Sequence, residues 1–148
     1  MKEHNRLRIE RLTARYARRI EETRPTAEAE FLREFDALRE RVLRPQMEEF
    51  AGELRKAGHA PRLVFDEGHG RPSIELALGL REATATRNVV GFCVIRWTGY
   101  PLQVLAYLEV NPTPFDLDRF ARPADVSPER VEQLLVEAIE QILVCNAP

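Results

Sequence analysis

Residues 89–110, VVGFCVIRWTGYPLQVLAYLEV, decide the fold of this chain. Two runs of apolar, β-branched and aromatic residues flank the turn formers Thr98-Gly99-Tyr100-Pro101, a composition that predicts a β-hairpin at the centre of a sheet. In the first run, residues 89–97, both alternating sets of side chains are apolar. A strand of that kind needs cover on both faces, so we expect the rest of the chain, or a second copy, to supply two covers.

The segments around this hairpin complete a small sheet. Residues 62–65 form a short apolar run, and residues 73–81 alternate between apolar and polar positions, which is typical of a strand with one buried face. With short connections, sequential pairing predicts a four-stranded antiparallel meander. The two prolines in residues 111–114 cannot donate to a ladder, so we expect pairing to stop there and residues 115–125 to form an ordered loop.

A C-terminal helix should begin at Ser127-Pro128-Glu129, which combines a capping hydroxyl, a proline in the first turn and an acidic residue. Its apolar residues form one wide stripe that suits packing on a sheet. They are Val131, Leu134, Leu135, Ala138, Ile139, Ile142 and Leu143. This helix is therefore the expected cover for one face of the central strand.

The first 58 residues predict helices with narrow apolar stripes. A first helix over residues 2–24 should break at Thr23-Arg24-Pro25-Thr26, because proline is tolerated in a first turn and poorly inside a helix. A second helix should follow, kinked or ended by Pro45, with a third piece reaching Gly58. The predicted fold is α+β: an N-terminal antiparallel helical hairpin (1–58), then a body (59–148) with the sheet and the C-terminal helix.

The predicted helical hairpin suggests a homodimer. Two helices with narrow apolar stripes can pack against each other, but they leave little apolar surface for the sheet. A second copy would complete a four-helix, coiled-coil-like seam. In the alternative, Phe31, Phe35, Phe50 and Leu54 lie on the sheet of their own chain. The interface residues predicted for the dimer are Ile9, Leu12, Tyr16, Phe31, Phe35 and Leu38.

The composition of the chain limits the classes of function to be considered. A net charge of −2 and a pI near 6.0 argue against wholesale electrostatic binding to nucleic acid or membrane. Cys93 and Cys145 lack CxxC spacing and should be buried thiols in a reducing compartment. With no apolar signal core and no membrane-spanning stretch, a cytoplasmic protein is expected, and the excess of arginine over lysine suits a GC-rich bacterial genome.

Residues 66–71, DEGHGR, are the one cluster that resembles a catalytic site. Asp66, Glu67, His69 and Arg71 combine two carboxylates, an imidazole and a guanidinium, the groups used by metal-dependent hydrolases and nucleases. The same composition is typical of a hydrated turn, which is the favoured interpretation. No recognised metal-ligand or cofactor-binding spacing is present, so neither a metal nor a cofactor is assigned.

A second alternative concerns the arginines of the first helix. Arg8, Arg11, Arg15 and Arg18 form a stripe about 100° from the apolar one and could contact phosphates. The acidic balance of the whole chain and the glutamates of the second helix favour ion pairs across a hairpin or dimer instead. Nucleic-acid binding is therefore not the expected function.

We conclude from the sequence that the chain is a non-enzymatic, homodimeric assembly or adaptor protein whose α+β body binds another protein. The metal-dependent enzyme and the nucleic-acid binder are its alternatives. The identity of the partner cannot be obtained from these residues.

Overall fold

The computed structural model describes residues 1–68, 71–82, 87–97 and 99–147, with the side chains of residues 23–25 excepted. Three α-helices and five strands account for most of them. The helices are α1 (Glu3–Leu38), α2 (Arg44–Lys56) and α3 (Pro128–Asn146), and a π-helical turn (Arg39–Leu43) joins α1 to α2. The strands are β1 (Arg62–Asp66), β2 (Ser73–Ala77), β3 (Asn88–Ile95), β4 (Gln103–Val110) and β5 (Thr113–Phe120).

The strands form one antiparallel sheet in the order β1-β2-β3-β4-β5, which confirms the α+β class and the sequential meander. The central hairpin pairs β3 with β4 from Asn88↔Val110 to Ile95↔Gln103. Of the turn between them, Thr98 lies outside the described residues.

The sheet has a fifth strand where an ordered loop was predicted. β5 pairs with β4 from Val110↔Thr113 onward and includes Pro114 opposite Glu109. A proline is acceptable here because β5 is an edge strand, whose outward N–H groups need no ladder partner. Asn111 has a φ of 58°, and the ring of Pro112 fixes its φ at a negative value. A positive φ followed by a negative one is typical of a type II′ hairpin turn.

The predicted helical hairpin is wrong. α1 runs through residues 23–26 without a break, and the π-helical turn and α2 follow it directly. Pro25 costs about 3 kcal/mol inside a helix, but the Ala, Glu, Leu and Arg residues around it have high helix propensities. At 1.5 Å per residue, the 36 residues of α1 form a rod about 54 Å long.

Pro45 neither ends nor interrupts the second helical segment. It lies in the first turn of α2, directly after the π-helical turn, in which the N–H of Arg44 donates to the carbonyl of Arg39. A proline ring clashes with the carbonyl four residues earlier in an ordinary α-helix. The wider π-helical turn gives that ring space, so the chain stays helical to Lys56. The helix is terminated at Gly58, which has a φ of 91°.

The hydrophobic core lies between one face of the sheet and the helices α2 and α3. Phe35, Leu43 and Met47 meet the core face of β2, β3 and β4 together with Leu134 and Leu135 of α3. Both helices thus cover the same face, whereas the sequence suggested one cover on each side. The other face of the described sheet is covered by side chains of its own strands, as detailed below.

α1 extends beyond this body. Residues 1–22 are all exposed, and the buried positions of the helix begin at Phe35. None of the described helices is long and apolar enough to cross a membrane.

Candidate functional site

The exposed half of α1 carries four apolar side chains on one side. Ile9, Leu12, Tyr16 and Ile20 are 54%, 49%, 69% and 45% exposed, and we call them the α1 stripe. Spacings of three and four residues place them along one line of the helix. Soluble proteins leave single apolar residues exposed, but a continuous row on one helix marks a contact surface.

The other residues predicted for the interface lie elsewhere. Phe35 and Leu38 are 0% and 7% exposed and belong to the core of the body, and Phe31 is half-buried against that core. The alternative considered from the sequence placed Phe31, Phe35, Phe50 and Leu54 on the sheet of their own chain, and all four belong to the core or pack against it. The surface left for a partner is the α1 stripe.

The α1 stripe is continuous with the side of α1 that packs on the body. From Ile9 through Leu12, Tyr16, Ile20, Thr23 and Ala27 to Phe31 the spacings are 3, 4, 4, 3, 4 and 4, an eleven-residue repeat. Eleven residues make just over three helical turns. One line of the helix is therefore exposed at its start and half-buried against the body at Phe31.

A groove forms where α1 meets the body. It has a volume of about 470 Å³ and is mostly apolar, and we call it the junction groove. Its lining comes from α1, the β3–β4 connection and the residue after β5: Ile20, Ala27, Glu28, Phe31, Gly99, Pro101, Leu102 and Ala121.

Two ion pairs hold α1 beside this groove. Glu28 accepts a hydrogen bond from Arg96 at the end of β3, and Glu34 accepts one from Arg122 at 3.2 Å. Each pair joins the helix to a different part of the body. The direction in which α1 leaves the body is thus set by contacts on both sides of the groove.

A second groove, of about 570 Å³, lies on the sheet face that α2 and α3 leave uncovered, and we call it the sheet-face groove. Cys93, Ile95, Leu105 and Tyr107 contribute to its floor. The Arg119 guanidinium lies 5.5 Å from the centre of the Trp97 ring, a cation–π distance. The remaining polar lining is Arg71, Ser73, Arg96 and Asp116.

A hydrogen-bonded cluster covers the rest of this face. The Tyr107 hydroxyl donates to Glu75 at 2.6 Å, and Arg87 donates to Glu75 at 2.6 Å and to Glu109 at 2.6 Å. Burial and the hydrogen bond to Glu75 raise the pKa of Tyr107 well above its ordinary value. Gly91 lies directly beneath: a Cβ there would be 2.7 Å from the Tyr107 ring.

The two thiols differ in environment. Burial raises the pKa of Cys93 to about 11, and the charges of Glu75 and Asp116 add to this effect. Both thiols were predicted to be buried, but Cys93 is only partly buried and Cys145 is exposed. Its place near the end of α3, past the last core position at Ile142, explains why the prediction of a buried thiol was wrong there.

The two carboxylates of the DEGHGR loop have structural partners. Glu67 accepts a hydrogen bond from the buried Arg39 at 2.5 Å, and Asp66 accepts one from the N–H of Gly68 at 2.8 Å. Arg71 points to the sheet-face groove, and His69 lies outside the described residues. Across the described part of the chain, no group of three or more His, Cys, Asp or Glu residues could hold a metal ion.

The arginines of the nucleic-acid alternative are all on the surface. Arg8, Arg11, Arg15 and Arg18 lie in the exposed half of α1, where Arg6 pairs with Glu3 at 2.5 Å. They accompany the α1 stripe along its whole length, so a partner covering that stripe would contact some of them.

Comparison with known proteins adds no function. No protein-family model matches the chain, and neither a curated protein nor a solved structure is detectably similar to it.

Sequence reasoning missed both grooves. The sheet-face cluster had a local signal, since Gly91 interrupts an otherwise apolar strand and such a glycine often marks close approach of another group. The junction groove had none, because it requires α1 to run past the β3–β4 connection, residues far apart in the sequence.

Proposed function

We propose that this protein is a non-enzymatic assembly or adaptor protein that self-associates through α1 and binds another protein with its body. The observation that supports this most strongly is the α1 stripe, a row of exposed apolar side chains on a helix that projects from the body.

A projecting helix of this kind needs a partner to be stable. Isolated helices of about 12–15 residues are marginal in water, and most helix stability in proteins comes from packing an amphipathic face. Residues 3–22 of α1 are exposed throughout. Covering an exposed apolar side chain contributes on the order of 1 kcal/mol or more, so burial of the four-residue stripe would stabilise both the arm and the complex.

A second copy is the partner that the charges favour. Residues 2–19 carry seven basic and two acidic side chains, a net charge of +5, whereas residues 21–36 carry two basic and six acidic ones, a net charge of −4. Two of the six acidic side chains, Glu28 and Glu34, already pair with Arg96 and Arg122 of the same chain, and the remaining charges still leave the two halves of the helix opposite in sign. Complementary charges flanking an apolar seam select the partner in paired helices.

The sheet-face groove is the surface we propose for the other protein. Its lining includes three arginines around an apolar floor; Arg96 pairs with Glu28 and Arg119 with Asp116 at 2.9 Å, whereas Arg71 has no ion pair among the described residues. This combination suits an acidic segment that also carries apolar side chains. Trp97, the sole tryptophan of the chain, lines the groove and is 54% exposed.

Light scattering on paired variants tests self-association. Leu12→Glu places a charge in the α1 stripe, whereas Leu7→Glu changes a residue of similar exposure, 44%, on the opposite side of α1. We expect Leu12→Glu to reduce the mass to that of one chain and Leu7→Glu to leave it unchanged. Equal masses for the two variants would contradict a role for the stripe.

Trp97 fluorescence tests the groove. Peptides rich in glutamate and leucine should shift its emission at micromolar concentration, and Arg71→Glu should weaken the response. The matched control is Arg62→Glu, a change of the same charge on the exposed edge strand β1. No response from the unmodified protein would contradict the proposed partner chemistry.

A further inference from the structure

We propose that two copies of the chain pair their α1 helices antiparallel, with Ile20 near the two-fold axis, so that the arm of each copy enters the junction groove of the other. This inference rests on the proposed self-association and adds its orientation and the occupant of the groove. Three independent features of α1 support it.

Charge sets the orientation. In a parallel pair, the basic residues 2–19 of both copies would lie side by side, as would the acidic residues 21–36. Like charges held next to each other destabilise an interface. In an antiparallel pair, the half with net charge +5 lies along the half with net charge −4. At the ends of the seam, Arg8 of one copy would face the region of Glu30 in the other.

The spacing of the apolar residues sets the centre. Ile9 and Phe31 are each eleven residues from Ile20, and Leu12 and Ala27 are eight and seven residues from it. The row is therefore nearly symmetric about Ile20, and its reversed copy matches it. Antiparallel pairing about this residue brings Ile9 against Phe31 and Leu12 against Ala27 of the other copy, so that apolar residues meet along the seam.

The junction groove provides the space for the arm. Ala27 and Phe31 line it, and Ile20 lies at its outer end. A partner helix that follows the stripe from Ile20 toward Phe31 runs directly into the groove, where its own Leu12 and Ile9 would contact Pro101 and Leu102. The groove volume of about 470 Å³ accommodates these side chains, and its small residues, Ala27, Gly99 and Ala121, allow close approach of a helix.

Each copy would thus complete the hydrophobic surface of the other, and the dimer would contain two such contacts, one in each junction groove. A pair that only crossed near Ile20 would leave both grooves and both Ile9 residues in water. Because the same groove that receives an arm is lined by the helix that supplies one, the arrangement closes as a dimer and leaves no unpaired stripe.

Thiol cross-linking tests the arrangement. The starting protein is Cys93→Ala/Cys145→Ser, which has no cysteine, and single cysteines are then placed at positions 12, 20 or 27 by Leu12→Cys, Ile20→Cys and Ala27→Cys. We expect a short bis-maleimide to cross-link Ile20→Cys to itself, and Leu12→Cys to Ala27→Cys in a mixture. Leu12→Cys alone should not cross-link, because an antiparallel pair separates its two thiols by 16 residues of helix, about 24 Å.

The outcomes separate this inference from the proposed function. Cross-linking of Leu12→Cys to itself shows a parallel pair and overturns the inference, while self-association stands. Cross-linking of Ile20→Cys without any Leu12–Ala27 product shows crossed helices that leave the grooves empty, and also overturns it. A cysteine-free protein with the mass of one chain by light scattering removes the self-association itself.

Discussion

Ile20 and Phe31 line the same groove although they are three helical turns apart on α1, and Ile20 is 45% exposed while Phe31 packs against the core. One apolar line of a single helix thus serves two purposes. Its C-terminal part anchors the helix to the body, and its exposed N-terminal part is the surface that we propose for self-association. The junction groove marks the point where one role passes to the other.

Gly91→Ala should destabilise the body. The new Cβ would lie 2.7 Å from Cζ and Oη of Tyr107 and 3.0 Å from Cγ of Glu75, so the Tyr107–Glu75 hydrogen bond must shift or break. Overpacking of this kind costs about 1–3 kcal/mol, measurable by urea denaturation. Gly52→Ala is the control, since no atom lies within 4 Å of its new Cβ. In a double-mutant cycle, Tyr107→Leu should remove most of the cost; additive losses would contradict the steric explanation.

The two cysteines should differ in reactivity with iodoacetamide. Cys145 is exposed and therefore accessible to the reagent. The pKa of Cys93 is raised from 9.0 to about 11, so that at pH 8 only about a thousandth of this thiol is ionised. The rate at Cys93 should rise about tenfold per pH unit up to pH 11, as measured by mass spectrometry of peptides.

Glu75→Gln provides the internal check on the same thiol. Removing the carboxylate charge that raises the Cys93 pKa should lower that pKa and speed alkylation at pH 8. An unchanged or slower rate at Cys93, with Cys145 unaffected, would show that Glu75 has no electrostatic influence on it.

Glu67→Ala should lower stability, whereas Arg39→Met should not. Arg39 is 5% exposed, and Glu67 neutralises it at 2.5 Å while remaining largely in water. Removing Glu67 leaves a buried charge with weaker partners, Asp36 at 3.3 Å and Glu40 at 3.7 Å, at a cost of about 1 kcal/mol. An apolar replacement of the buried ion is often neutral or stabilising.

Thermal melts of both variants measure this difference. A larger loss for Arg39→Met than for Glu67→Ala would contradict the structural role assigned to Glu67. The comparison also bears on the DEGHGR loop, since it identifies one of its carboxylates as a partner of the core.

Much of the fold follows from local patterns. The β3–β4 hairpin, the alternation in β2 and the start of α3 were all predicted, the last confirmed by the Ser127 hydroxyl, which accepts from the N–H of Arg130 at 3.1 Å. These features depend on neighbouring residues alone. Short-range chemistry was sufficient for them.

The errors occurred where one local signal permits two structures. Pro25 suits a helix start and is also tolerated inside a long helix of strong helix formers, and Pro114 stops an inner strand but not an edge strand. Apolar periodicity shows that α3 and α2 pack on the sheet, but not that they share a face. The sheet-face groove depends on this choice, and the junction groove depends on the path of α1 past the β3–β4 connection, so neither could be predicted from the sequence.

The most direct test of the central claim is the mass of the unmodified chain in solution, measured by sedimentation equilibrium at micromolar concentration. Self-association through α1 predicts a mass of twice 17.1 kDa, with the helix content falling as dilution separates the copies. A mass of 17.1 kDa with undiminished helix content would contradict it, because α1 would then be stable in water with its apolar side chains uncovered.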